Sequence, residues 1–214
     1  MEHQQKIKQP SILRTLRSVI PHRNVTFGEA ERIAELQANR LLELFDITQG
    51  PVPTEIVGDL PRIKVVYKPL PTSGISYWSG KEWVITLNRG ESHRRQRFTL
   101  MHEFKHIIDH GQTDKLYTGD RIRSPEQQAE AAADYFAGCV LLPRRHLKAA
   151  WGNGLQTPLC LANHFEASVA AVSVRLLQTG LRTVHDQFTQ PVRTFVNYGR
   201  QLKPKYPELV RDGS

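Results

Sequence analysis

From Thr26 onward, apolar residues recur at helical spacing. Ala34, Ala38, Leu41, Leu42 and Phe45 follow Thr26-Phe27-Gly28-Glu29, a capping-box pattern, and together they predict a helix over 27–46. Pro and Gly punctuate residues 50–61, leaving room for one helical turn at 54–60. The period then shortens. Residues 63–67, 75–78 and 83–87 are runs rich in Val, Ile, Tyr and Trp, and the last two flank Ser79-Gly80-Lys81, a hairpin signal. A small antiparallel sheet is expected there.

Helical spacing returns at 92–110, with Ser92 as N-cap, Gly111 as the residue after the C-cap, and Phe104, Ile107 and Ile108 as an apolar stripe. Residues 112–124 are polar and read as loop. Pro125-Glu126 opens a further helix that passes through Ala131, Ala132, Ala133, Phe136 and Ala137 to Leu142, where Pro143 stops it. Residues 144–150 form a short helical stretch. After the break at Gly152-Asn153-Gly154 come two more, at 159–165 and 168–178, closed by Gly180. Pro191, Pro204 and Pro207 mark a loosely structured, basic end.

A length of 214 residues favours one domain with extensions. With 39% hydrophobic and 23% charged residues, a wholly disordered or fibrous chain is excluded. The net charge of +8 fits an anionic partner, or simply solubility. Cys139 and Cys160 cannot form a disulfide framework, which favours a reducing, cytoplasmic setting. No run of eighteen apolar residues is present, so no membrane span is expected. Lys6, Lys8, Arg14, Arg17 and Arg23 make the first 24 residues basic; a solvated terminus is the expectation, with a transit peptide or basic arm as alternatives.

His102-Glu103-Phe104-Lys105-His106 is an H-E-x-x-H motif inside the predicted helix. Histidines at i and i+4 share a helical face and can offer two imidazole nitrogens to one metal ion, while Glu103 can reach a water beside it. A catalytic zinc usually has a third protein ligand. The extended motif that supplies a third His is excluded, because Asp109 and Gln112 stand at its Gly and His positions. That leaves Glu126 and Glu130 on the next helix. Glu130 is favoured, since the neighbouring alanines permit close helix approach and Glu126 lies at the helix start.

The segment Arg97-Phe98-Thr99-Leu100-Met101-His102-Glu103-Phe104-Lys105-His106, followed by Glu130-Ala131-Ala132-Ala133-Asp134-Tyr135-Phe136-Ala137-Gly138-Cys139-Val140-Leu141-Leu142-Pro143, resembles the ImmA/IrrE family of metallo-endopeptidases. The hairpin before the active helix is similar too, and the resemblance covers about residues 27–180. It implies an α+β, zincin-like fold in which a small antiparallel sheet packs with the active-site helix and a helical C-terminal region follows. It also implies zinc, or another divalent ion, at His102, His106 and Glu130, with Glu103 as general base. The expected organisation is a basic extension at 1–24, the metallopeptidase domain at 25–150, a helix-turn-helix-like segment at 151–185 and a basic tail at 186–214. Lys105 departs from the usual small or apolar residue and is expected to point outward. Met101 and the early Pro143 are further departures that leave ligands and base intact.

Asp134, one turn beyond Glu130, is placed either behind a ligand imidazole or facing water. Tyr117, His110 and Tyr135 are candidates for oxyanion stabilisation or for structural roles. A substrate backbone could add to an edge strand at 75–88, where Trp78 and Trp83 either shape a groove or pack. The helical pair at 159–178 has a helix-turn-helix outline, but only Arg175 and Gln178 could reach bases, so at most weak DNA binding is expected. The resemblance implies a helix-turn-helix transcriptional repressor as substrate, cleaved as a switch for a stress-response or mobile-element programme. The alternative is a non-catalytic DNA- or repressor-binding regulator that retains the fold.

Overall fold

Of the strands in the described residues, Trp83–Asn88 alone is buried along both faces, with Val84, Ile85, Thr86 and Leu87 all inside. Such a strand belongs in the middle of a sheet. The computed structural model, which describes residues 11–181, places it there. The strands are β1 (Ile63–Lys68), β2 (Gly74–Trp78) and β3 (Trp83–Asn88), in the order β1-β3-β2. β2 and β3 form the expected antiparallel hairpin, with Tyr77 opposite Val84 and Trp78 opposite Trp83. β1 departs from expectation: it pairs with β3 in parallel, Val65 opposite Ile85, so the sheet is mixed. Connectivity explains this: the chain reverses between β1 and β2 and again in the hairpin, so β3 runs in the direction of β1 and the two pair in parallel along the edge that the hairpin leaves open.

Among the described residues the helices are α1 (Ile12–Arg17), α2 (Phe27–Leu44), α3 (His93–Asp109), α4 (Thr113–Leu116), α5 (Pro125–Leu141), α6 (Arg144–Gly152), α7 (Pro158–His164) and α8 (Val169–Thr179), with a 3-10 turn at Thr54–Val57. Their ends follow from local chemistry. The capping box of α2 is complete, as Glu29 N donates to Thr26 Oγ1 and Thr26 N donates back to Glu29 Oε2. Ser92 caps α3, and Gly111 leaves it at φ +79°. Ser124 and Gln127 box the start of α5, with Pro125 in its first turn. The polar loop expected at 112–124 contains the short α4.

α3 packs against β2 and β3 and also against α5, which packs in turn on α2. Ile85, Leu87, Met101, Phe104, Ile108, Phe136 and Val140 are fully buried in the resulting core. The chain divides into two units, Met1–Thr183 and Val184–Ser214; all described residues belong to the first. Residues 1–10 and the basic tail expected at 186–214 lie outside the described residues.

The structure corrects two expectations about charge. The first concerns the basic N-terminal segment, whose described part is a clamp on α3 and does not lie free in solvent. Leu16 is fully buried, and the Arg17 guanidinium donates to the carbonyls of Ile107 at 2.7 Å and Ile108 at 2.9 Å, which the end of α3 leaves without helical partners. The second concerns Lys105, which is only 1% exposed. Its ammonium donates to Asp109 Oδ1 at 2.6 Å and to Gln37 Oε1 at 2.8 Å, Tyr117 donates to the other Asp109 oxygen, and Gln37 donates to the Leu16 carbonyl. Burial pushes the Lys105 ammonium below its usual range, and Asp109 opposes the shift.

This network joins α1, α2 and the segment after α4 to α3. Removing one member of a buried pair leaves the other charge uncompensated. Lys105→Ala is therefore expected to cost about 3–5 kcal/mol. Urea unfolding followed by circular dichroism measures it, and a loss below about 1 kcal/mol would be the range of an exposed pair.

Candidate metal centre

His102 and His106 stand one turn apart on α3, and Glu130 faces them from α5. Their ligand atoms lie close together. His102 Nε2 and His106 Nε2 are 3.1 Å apart, Glu130 Oε2 lies 3.3 Å from the first and Glu130 Oε1 3.3 Å from the second, so each carboxylate oxygen faces one imidazole. One nitrogen from each histidine and a carboxylate oxygen all fall within 4.8 Å of one another, close enough to hold one ion. Two imidazoles and a carboxylate are also a donor set that zinc takes. Glu126, the other glutamate on this helix, accepts a hydrogen bond from Ser124 Oγ at the start of α5 and stays out of the cluster.

Asp134 fixes how His102 presents itself. Its Oδ1 lies 2.8 Å from His102 Nδ1, and a carboxylate can only accept, so Nδ1 carries a proton and Nε2 is the nitrogen turned towards His106 and Glu130. Burial works against a charged His102, but hydrogen bonds to Asp134 and Glu130 outweigh it and hold the imidazole up to about 9. Glu130 shows the converse. Burial alone would raise its carboxyl, yet the hydrogen bonds from His102 and His106 hold it far below the ordinary range. The cluster is a place where positive charge is strongly favoured.

Glu103 is 3% exposed and sits on the side of α3 that meets the sheet. Ser76 on β2 donates to its Oε2 at 2.7 Å. Gly74 permits this approach, since a Cβ there would stand 2.4 Å from Thr99 Cγ2 and 3.4 Å from Glu103 Cγ. Sequence reasoning missed Ser76 and Gly74. The signal available was two small residues at i and i+2 in a strand otherwise made of large ones, which marks the side where a helix can come close.

The remaining candidates make the following contacts. Tyr117 is buried with its hydroxyl on Asp109, and burial together with that carboxylate pushes the phenol far above its usual range. Tyr135 donates to Glu35 Oε2. His110 meets Trp83 edge-on with ring centroids 4.8 Å apart, and Trp83 meets Trp78 at 5.6 Å. Arg175 is 2% exposed, donates to the Leu142 carbonyl and pairs with Glu35 at 3.3 Å. The outer side of α8 therefore presents Val174 and Leu177 beside Gln178, with Arg175 turned inward.

A family model described as the IrrE N-terminal-like domain, peptidase M78, matches residues 60–177. Among solved structures, a Mycobacterium tuberculosis transcriptional regulator is similar in fold, with a TM-score of 0.55 and 19% identity, covering 78% of this chain and 52% of that chain. This chain thus spans about half the length of that protein. No curated protein matches it. The family model takes in β1, the hairpin, the His-Glu-His helix and the Glu130 helix, more than half of the 214 residues. The chain belongs to the IrrE N-terminal-like, peptidase M78 family.

Proposed function

We propose that this protein is a zinc-dependent endopeptidase that cleaves a protein substrate, with His102, His106 and Glu130 as metal ligands and Glu103 as general base. The observation that carries the reading is the convergence of His102, His106 and Glu130, whose ligand atoms lie within 4.8 Å of one another, with a buried carboxylate on the residue next to His102. A divalent ion held there supplies Lewis acidity, polarising a peptide carbonyl and drawing the pKa of water towards neutrality. Glu103 takes the proton from the attacking water and returns it to the departing amine. Asp134 keeps His102 in the tautomer that leaves Nε2 available to the ion. β2 is an edge strand of the sheet and offers its outer side to an extended substrate backbone.

The substrate we propose is a helix-turn-helix transcriptional repressor, so that cleavage acts as a regulatory switch. Resemblance to the family supports it. Direct reading of DNA by α8 is disfavoured, because Arg175 is buried and paired. No helix among the described residues is long and apolar enough to cross a membrane.

Two outcomes follow. The purified protein is expected to hold about one zinc per chain. Glu130→Ala should bring this close to zero in elemental analysis, and Asp134→Asn should weaken binding about 10- to 100-fold in competition with a chromogenic chelator. Unchanged zinc affinity in Glu130→Ala would remove that residue from the ligand set. For the chemistry, wild type and Glu103→Gln are expressed in the same host and new protein N-termini are mapped by mass spectrometry. Cleavage should appear with wild type and fall about 10²- to 10⁴-fold with Glu103→Gln at unchanged metal content. Equal cleavage by both would refute the peptidase reading.

A further inference from the structure

A glutamate that moves protons has to be aimed as well as present. The last torsion of a Glu side chain is broad and roughly two-fold, so the plane of its carboxylate is set by what its oxygens touch. Glu103 is almost completely buried, and Ser76 Oγ donates to its Oε2 at 2.7 Å, an ordinary length for a well-formed hydroxyl–oxygen hydrogen bond and the upper edge of the range for an ionised acceptor. We propose that Ser76 is a positioning residue for proton transfer, fixing the Glu103 carboxylate plane relative to the strand on which the substrate lies.

The placement of Ser76 is what gives this consequence. Gly74 and Ser76 share the α3-facing side of β2, two residues apart. Gly74 brings the strand against the turn of α3 that carries Thr99 and Glu103, and Ser76 then reaches the carboxylate. Ser76 pairs with Ile85 of β3 on one side, while β2 forms the edge of the sheet on the other. A peptide added to that edge and the base beneath it are thereby referenced to the same strand. Misplacement by a fraction of the carboxylate's size is enough to slow a proton transfer heavily.

This role rests on the peptidase reading above, and the test separates the two. The full-length protein is assayed on a synthetic peptide spanning the site that wild type cleaves in cells. Ser76→Ala is expected to keep its zinc and lower kcat about 10- to 100-fold, with KM changed by less than about twofold. Ser76→Thr, which keeps the hydroxyl on a strand-favouring residue, should recover most of the loss. A crystal structure of Ser76→Ala should show the Glu103 carboxylate rotated from its wild-type plane. If Ser76→Ala does not fold, Ser76→Cys, similar in size and a poor donor, takes its place with the same expectations. A kcat within about twofold of wild type, or a loss confined to KM, overturns the role of Ser76 while leaving the peptidase reading intact. Absence of cleavage by zinc-loaded wild type overturns both.

Discussion

The close approach of α3 and α5 is the constraint on which the site depends. Two imidazoles on one helix and a carboxylate on another can put their ligand atoms 3.1–3.3 Å apart only if the backbones come near each other. Ala133 and Ala137 lie on the Glu130 side of α5 and are fully buried, which keeps the interface thin where the ligands meet. Further along, Phe104 and Phe136 fill the gap, with ring centroids 6.3 Å apart. Small residues near the ligands and large ones beyond them fix both the spacing and the register of the two helices.

The surroundings of α3 serve the same end. One side of the helix is tied by Lys105, Asp109, Gln37 and Tyr117, its C-terminal carbonyls are held by Arg17, and near its start Arg97 donates to the Val52 carbonyl and lies 3.5 Å from Glu166. Each of these is a buried or partly buried polar contact whose loss would leave an unsatisfied group. The net charge of +8 reads differently in this light. Lys105, Arg97 and Arg175 are all buried and paired with acids, so a share of the positive charge holds helices together and does not form a surface for nucleic acid.

Much of this is legible from local chemistry. The capping signals at Thr26 and Ser92 each mark a real helix start, and the H-E-x-x-H spacing carries its own geometry because helical periodicity fixes it. Glu130 follows from the alanines beside it. What stays hidden depends on contacts between residues distant in the chain. The parallel pairing of β1 with β3 depends on β1 taking the far edge of β3 and not pairing with β2, and Lys105, with Asp109 at i+4, resembles a solvent-facing residue because its second partner Gln37 lies on another helix. Proximity in sequence makes Tyr117 a candidate for the cleft, yet its hydroxyl belongs to Asp109. Ser76 lies 27 positions before Glu103, and nothing in the strand pattern tells that its hydroxyl finds the carboxylate.

All of these elements converge on the claim that His102, His106 and Glu130 form the coordination shell of one ion. Anomalous diffraction from crystals of the full-length protein, recorded above and below the zinc absorption edge, addresses it most directly. The account predicts one anomalous peak, about 2.0–2.2 Å from His102 Nε2, His106 Nε2 and a Glu130 carboxylate oxygen. A protein that contains stoichiometric zinc but shows its peak away from these three atoms would contradict it.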